Sequence, residues 1–410
     1  MRFYYGWLVV GGSLAVTLVY GVFFAFGVFF TPLRSEFGWS NAETSAAFSV
    51  HAGAYVASAM LMGKLTDAYG PKLPLGVGGL LMGLGLVLSS LTANLLQFYF
   101  FYGLVTSLGV GAVFIPTHST VVRWFVKRRG AALSVVTVGA GLGAILIPPA
   151  VERLIALYGW REAFVVCGVL VWSLMLVGIV LIKNPSREAL EAHGELSEEA
   201  GNIREASPPE SLSLGAALRT KAFWLILSTY LLFFTSTFIP LVHVVPFAIA
   251  SGIQPLTAAG ALSVFGVSSI FGRLTIGPLS DRIGRVRALV ICLALLTGSI
   301  ISLVGVKNAF ALYLSAAVFG YAFGGFIPQM PAIIGDFFGS KSIGVVYGVF
   351  EGLAYGIGIG IGPVLGGYLI DVTGGYREAF LAGGLITFSA LLSIALTRPP
   401  RKHRPPTGSG

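Results

Sequence analysis

The sequence predicts an all-α membrane protein of twelve spanning helices, arranged as two six-helix bundles. Three observations carry this. The chain has 410 residues, 55% hydrophobic and 10% charged, with a mean hydropathy of +0.86; soluble domains usually carry about 25% charged residues. Apolar runs of about 20 residues, the length that crosses a bilayer, recur between short charged or Pro/Gly breaks. Unusual short stretches also recur half a chain apart. "WREAF" (Trp160 to Phe164) returns as "YREAF" (Tyr376 to Phe380), 216 residues on. "GKLTDAYG" (Gly63 to Gly70) and "GPLSDRIG" (Gly277 to Gly284) share G-x-L-x-D-x-x-G at an offset of 214. "FIP" at Phe114 to Pro116 returns at Phe326 to Pro328, and Pro149 corresponds to Pro363 in a second glycine-rich run. Four matches in one order imply an internal duplication.

The first six spans are expected at 6–31, 43–63, 73–92, 96–121, 130–151 and 161–182. The first follows only five residues and lacks a cleavage site, so it reads as a retained helix. A polar segment at 183–220, rich in Glu, Ser and Pro, falls where two halves need a linker. Its Ala/Glu-rich first part suits a surface helix, and "SPPES" an extended or disordered stretch. Six more spans follow at 221–249, 257–279, 287–306, 309–333, 343–369 and 376–396, then a polar tail over 398–410. The domains expected are therefore bundles at 1–182 and 221–397. Gly and Pro inside spans should face neighbouring helices or a cavity, because lipid satisfies no backbone group. Cys167 and Cys292 fall inside spans and read as free core thiols.

The net charge of +9 is set by placement rather than by an anionic partner. With both termini cytoplasmic, 20 of the 26 Lys and Arg residues lie in cytoplasmic segments. Five (Arg34, Arg153, Arg161, Lys307, Arg377) lie outside and one, Arg273, lies within a span. This positive-inside bias fixes the expected orientation and removes the case for nucleic acid. It describes a multi-pass protein of a cell membrane, read as a prokaryotic plasma membrane. Arg161–Glu162 and Arg377–Glu378 should open the sixth and twelfth helices, where Glu suits the N-terminal dipole.

Each half carries its G-x-L-x-D-x-x-G loop between its second and third span. Gly70 and Gly284 suit tight turns, and Arg285 follows the second copy. Asp67 and Asp281 are expected to salt-bridge or cap a neighbouring helix end, holding the halves together when the cavity opens outward. Gly139 and Gly143 form a small-xxx-small face, and Gly360 and Pro363 lie in a denser glycine run. These positions read as close helix packing.

The paired loops, the two halves and the linker resemble the major facilitator superfamily over essentially the whole chain. Two stretches narrow the resemblance. "YYGWLVVGGS" (Tyr4 to Ser13) is similar to the first-helix signature of monocarboxylate porters and their oxalate/formate-antiporter relatives. "RWFVKRRGAALSVVTVGAGLG" (Arg123 to Gly143) is similar to their fifth-helix signature. Trp124 and Phe125 match its aromatic pair, Lys127, Arg128 and Arg129 its basic run, and Gly130, Gly139 and Gly143 its small positions. The resemblance implies the major facilitator fold, with two bundles rocking around one central site, parallel repeats and no covalent catalysis.

Arg273 is the residue that bears most on function. It lies eight residues before Asp281, about 12 Å from the loop at 1.5 Å per residue. An arginine at the bilayer centre costs at least about 2.5–3.5 kcal/mol on insertion scales, so it should face a cavity or a partner. Its planar fork suits a carboxylate; the two readings are an anion-binding group and a structural or gating salt bridge. The resemblance implies that this arginine engages the substrate carboxylate, as in the family's Asp-x-x-x-Arg pair. The aspartate position here is Ser269, and the family's first-helix lysine falls near Phe24. The eleventh span has no Lys or Arg between Lys341 and Arg377, so the cationic pair that suits oxalate is missing. A small monocarboxylate, lactate-, pyruvate- or acetate-like, is therefore the simpler substrate.

Tyr20 and Tyr321 are expected to line the cleft with Arg273, since the resemblance implies that helices one, four, seven and ten do so. Thr117 and Gln329 are further substrate-binding candidates. A coupled proton would use Glu351, His51, His118 or His243, or the substrate's own carboxylate. The function expected is secondary transport of that anion with a proton, by a monomer, without cofactor or metal. An organic-anion or oxalate/formate-type exchanger and a non-transporting receptor compete with it. No Ser-His-Asp spacing, metal cluster or phosphate loop supports an enzyme.

Overall fold

The computed structural model describes residues 4–125, 129–186, 214–338 and 349–398, with the backbone alone at 129–131 and 351. Lys127, Arg128, most of the 183–220 linker and most of the tail lie outside the described residues. Among the described residues, twelve helices are long and apolar enough to cross a membrane. In the first half they are α1 (Gly6–Phe37), α2 (Asn41–Tyr69), α3 (Lys72–Ser89), α4 (Leu95–Trp124), α5 (Ala132–Tyr158) and α6 (Trp160–Leu181). In the second they are α7 (Lys221–Ala250), α8 (Pro255–Ile283), α9 (Arg285–Gly305), α10 (Ala309–Phe338), α11 (Gly352–Thr373) and α12 (Arg377–Ala395).

Several helices outrun the apolar stretches that announce them. α1 continues through Arg34 and Glu36, and α2 through Lys64 and Asp67. Hydropathy marks where lipid ends, but a helix stops only where a cap or turn stops it. Those stops are duplicated. Among the described residues the left-handed glycines fall in three pairs: Gly38 and Gly252, Gly70 and Gly284, Gly159 and Gly374. Gly70 (φ 79°) and Gly284 (φ 93°) end α2 and α8 in a conformation that costs other residues strain. Asn94 and Asn308, also 214 apart, cap α4 and α10 by accepting from Gln97 N (3.0 Å) and Ala311 N (2.9 Å). Arg161–Glu162 and Arg377–Glu378 lie in the first turns of α6 and α12.

Packing repeats as well. α1 lies on α5, α2 on α4 and α3 on α6; α7 lies on α11, α8 on α10 and α9 on α12. Gly139 and Gly143 let α1 close onto α5, since a Cβ at Gly143 would stand 2.3 Å from the Leu18 carbonyl oxygen. The halves meet along two equivalent seams, α2 against α11 and α5 against α8. A serine 214 residues apart crosses each seam. Ser49 Oγ donates to the Gly360 carbonyl, and Ser263 Oγ donates to the Ile145 carbonyl at 2.6 Å.

Candidate functional site

The two ends of the bundle differ. At the end remote from the loop motifs, α1 and α7 meet, with Gly27 against the Val242 carbonyl and the Phe30 ring 5.1 Å from the His243 ring. Asp371, at the end of α11, closes this end across the halves. Its Oδ1 accepts from Asn41 N (2.9 Å) and Asn41 Nδ2 (2.6 Å), and its Oδ2 accepts from Ala42 N (2.8 Å). A carboxylate thus sits on the positive end of α2. At the loop end, α4 and α10 each pack within their own half. The cleft between the halves therefore opens on the loop side.

Arg273 of α8 reaches across the α5/α8 seam. Its Nη1 donates to the Thr137 carbonyl of α5 at 3.0 Å. No carboxylate lies within ion-pair distance among the described residues, and among them its buried Nε has no hydrogen-bond partner. Buried guanidinium donors are normally satisfied, so this is an incomplete shell. His118 of α4 lies within electrostatic reach of Arg273. Its Nδ1 is 2.9 Å from the Phe114 carbonyl oxygen, which only accepts, so Nδ1 carries the hydrogen. The ring stacks on Phe114 (centroids 4.7 Å apart), and the Tyr20 ring meets Phe114 edge-on at 4.7 Å. Arg273, His118, Phe114 and Tyr20 make a cationic patch beside an aromatic wall.

Other expected site residues lie elsewhere. Tyr321 has its hydroxyl 2.9 Å from Thr275 Oγ1. Thr275 is two residues from Arg273, about 200° around the helix, so Tyr321 is turned away from the arginine. Thr117 is fully buried, and its hydroxyl donates to the Val113 carbonyl at 2.6 Å, inside its own helix. Gln329 is buried too, with Oε1 3.4 Å from Arg285 Nη1 in the loop-end cluster. His51 lies among Phe23, Phe48 and Tyr102 inside the first bundle, lining a small internal pocket. His243 Nε2 is 2.9 Å from the Pro363 carbonyl oxygen and 3.3 Å from Ser45 Oγ, tying α7 and α11 to α2. The side chain of Glu351 lies outside the described residues.

The duplicated loops form clamps inside each half. Asp67 pairs with Arg123 at 2.8 Å, and Arg123 also donates to Asn184 Oδ1 at 3.2 Å. In the second half Arg285 binds Asp281 at 2.5 Å, Asp336 at 3.4 Å and the Ser280 hydroxyl. Arg123 and Asp336 close α4 and α10 at equivalent places, 213 residues apart. The charge at the helix end is thus inverted, and Arg285 bridges the two acids that result. The expected bridge between halves is not made among the described residues, because with the loop end open the nearest counter-charge lies in the same bundle. The two signature stretches also meet here. Tyr4 donates to the Trp124 carbonyl and its ring lies 5.2 Å from Phe125, while Trp7 lies 5.1 Å from Phe125. Trp124 Nε1 donates to the Lys183 carbonyl at 2.7 Å.

Residues 12–292, and again 244–410, match the Major Facilitator Superfamily. The chain belongs to this superfamily. It is a multi-pass membrane transporter. Monocarboxylate transporter 13 of Bos taurus is 30% identical over 93% of this chain and 86% of its own length. Monocarboxylate transporter 12 of Xenopus laevis is 27% identical over 95% and 88%. YhjX of Escherichia coli (strain K12), an uncharacterised MFS-type transporter, is 26% identical over 84% and 83%. In fold, the chain is similar to a bacterial homologue of the human lysosomal transporter Spinster in an inward-facing, occupied conformation, with a TM-score of 0.74, 15% identity and 97% of each chain covered. A point mutant of the nucleoside transporter NupG gives 0.71 at 15% identity over 95% and 99%.

Proposed function

We propose that the protein is a secondary transporter of a small monocarboxylate, lactate-, pyruvate- or acetate-like, that moves one proton with the anion by alternating access. The observation that carries this is the incomplete shell of Arg273: a guanidinium at the cleft with no counter-charge among the described residues and an unused Nε donor. A carboxylate completes that shell with charge-assisted bonds. Similarity to monocarboxylate transporters 12 and 13 supports the same substrate class. A single cation beside an aromatic wall suits one carboxylate on a short carbon skeleton better than a dianion. In this reading the loop end is cytoplasmic, the protein is a monomer, and the conformation is open inward.

Transport follows from the geometry. The Asp371 latch and the α1/α7 contact close the outer end, so an anion on Arg273 exchanges with the cytoplasm. Because α5 and α8 carry both sides of the Arg273–Thr137 contact, an anion that draws Arg273 off the carbonyl loosens one seam. Counterflow in proteoliposomes tests the function: unlabelled L-lactate, pyruvate or acetate inside should drive transient accumulation of labelled L-lactate. No counterflow with acids of two to six carbons would end the monocarboxylate reading. Stimulation by oxalate alone would establish the exchanger instead.

A further inference from the structure

We propose that His118 is the group that takes up the coupled proton, at Nε2, when an anion occupies Arg273. This rests on the reading of Arg273 as the anion site. Three features of the geometry carry it. First, the bond from Nδ1–H to the Phe114 carbonyl fixes the neutral tautomer, so Nε2 holds the lone pair. Second, that bond and the stack on Phe114 hold the ring in one orientation, while Nε2 makes no hydrogen bond among the described residues and the residue is only half-buried. Third, the charge that acts on His118 is that of Arg273. The helices packed on α4 also carry titratable groups: Tyr20 on α1, His51, Tyr55, Lys64 and Asp67 on α2, Lys72 on α3, and Glu152 and Arg153 on α5.

Charge balance then gives the coupling. The empty site holds Arg273 as a cation and His118 neutral, a net single positive charge. A proton on His118 alone sets two cations side by side in a low-dielectric cleft, which is unfavourable. An anion between them removes that repulsion, so the proton and the carboxylate stabilise one another. With both bound, the site again carries one positive charge. Loaded and empty carriers thus have the same charge when they reorient, and transport is electroneutral. The step balances without any other reactant: one proton from water goes to Nε2 on loading and returns to water on release. Neither His51, enclosed in the first bundle, nor His243, bonded across a closed seam, offers a nitrogen to the same anion.

The test compares two forms of transport on the same proteoliposomes. L-Lactate counterflow at equal pH needs the anion site only, whereas uptake driven by an imposed pH gradient needs the proton as well. In His118→Gln, gradient-driven uptake should fall by about tenfold or more while counterflow stays within about threefold. His118→Asn serves as a second variant, and size-exclusion and melting profiles identify misfolded protein. Direct L-lactate binding in buffers of different ionisation enthalpy should show one proton taken up per anion in the natural protein and none in a folded variant. Undiminished gradient-driven uptake, or unchanged proton uptake on binding, overturns the role of His118. Loss of counterflow in both folded variants also overturns it, making His118 an anion ligand. Failure of the anion reading looks different: Arg273→Ala would keep saturable L-lactate binding whatever His118 does.

Discussion

At the residue scale, the site was legible through its most costly member. Arg273 is an isolated cation in an apolar run, and a charge in lipid demands a reason. Its neighbours were less legible, because facing depends on helical phase and these helices are apolar on all sides. Tyr321 and Gln329 could be placed on the right helix but not on the right face. Nothing in the sequence shows that Thr137 supplies its carbonyl to Arg273. The geometry gives a sharp expectation for Tyr321, which is turned away from the arginine. Tyr321→Phe should leave monocarboxylate affinity within about twofold, as for a substitution outside a binding site. A tenfold loss in equilibrium binding would return Tyr321 to the site.

At the element scale, the loops show how duplicated elements diverge. The sequence displayed both G-x-L-x-D-x-x-G copies, but their partners come from the ends of α4 and α10, where arginine in one half is aspartate in the other. Repeat register alone pairs Arg123 with Asp336; the sign change required the second clamp to recruit Arg285. The Asp371 latch had no such signal, since its partners are backbone N–H groups 330 positions away. Asp371→Asn weakens the carboxylate's hold on α2 by about 1 kcal/mol after allowance for its exposure, roughly fivefold in the population ratio of the two cleft states. Spin-label distances across the outer ends of α2 and α11 should lengthen in part of the population; an unchanged distribution would remove the latch. Gly143→Val should lower thermal stability by about 1–3 kcal/mol through overpacking of α1 on α5. An unchanged melting temperature in the purified variant would mean that this contact yields freely.

At the scale of the whole molecule, the duplication was the most legible feature. A period of about 214 in a few tetrapeptides is the same period that separates the helix-ending glycines, the capping asparagines and the seam serines. Orientation follows from the basic residues, and it predicts which face a reagent reaches. With the buried Cys167 and Cys292 replaced, Thr373→Cys should react with an impermeant thiol reagent on intact cells, and Lys72→Cys only after permeabilisation. The reverse pattern would invert the topology and turn the open cleft outward.

All of these expectations depend on one contact, the carboxylate on Arg273. The most direct measurement is equilibrium binding of L-lactate, pyruvate and acetate to purified, folded protein, natural and Arg273→Ala, at one pH. Removing a buried charge-assisted partner costs about 2–5 kcal/mol, so saturable binding should vanish from the accessible range, and Arg273→Lys should recover only part of it for want of the fork geometry. Near-natural affinity in folded Arg273→Ala would contradict the account.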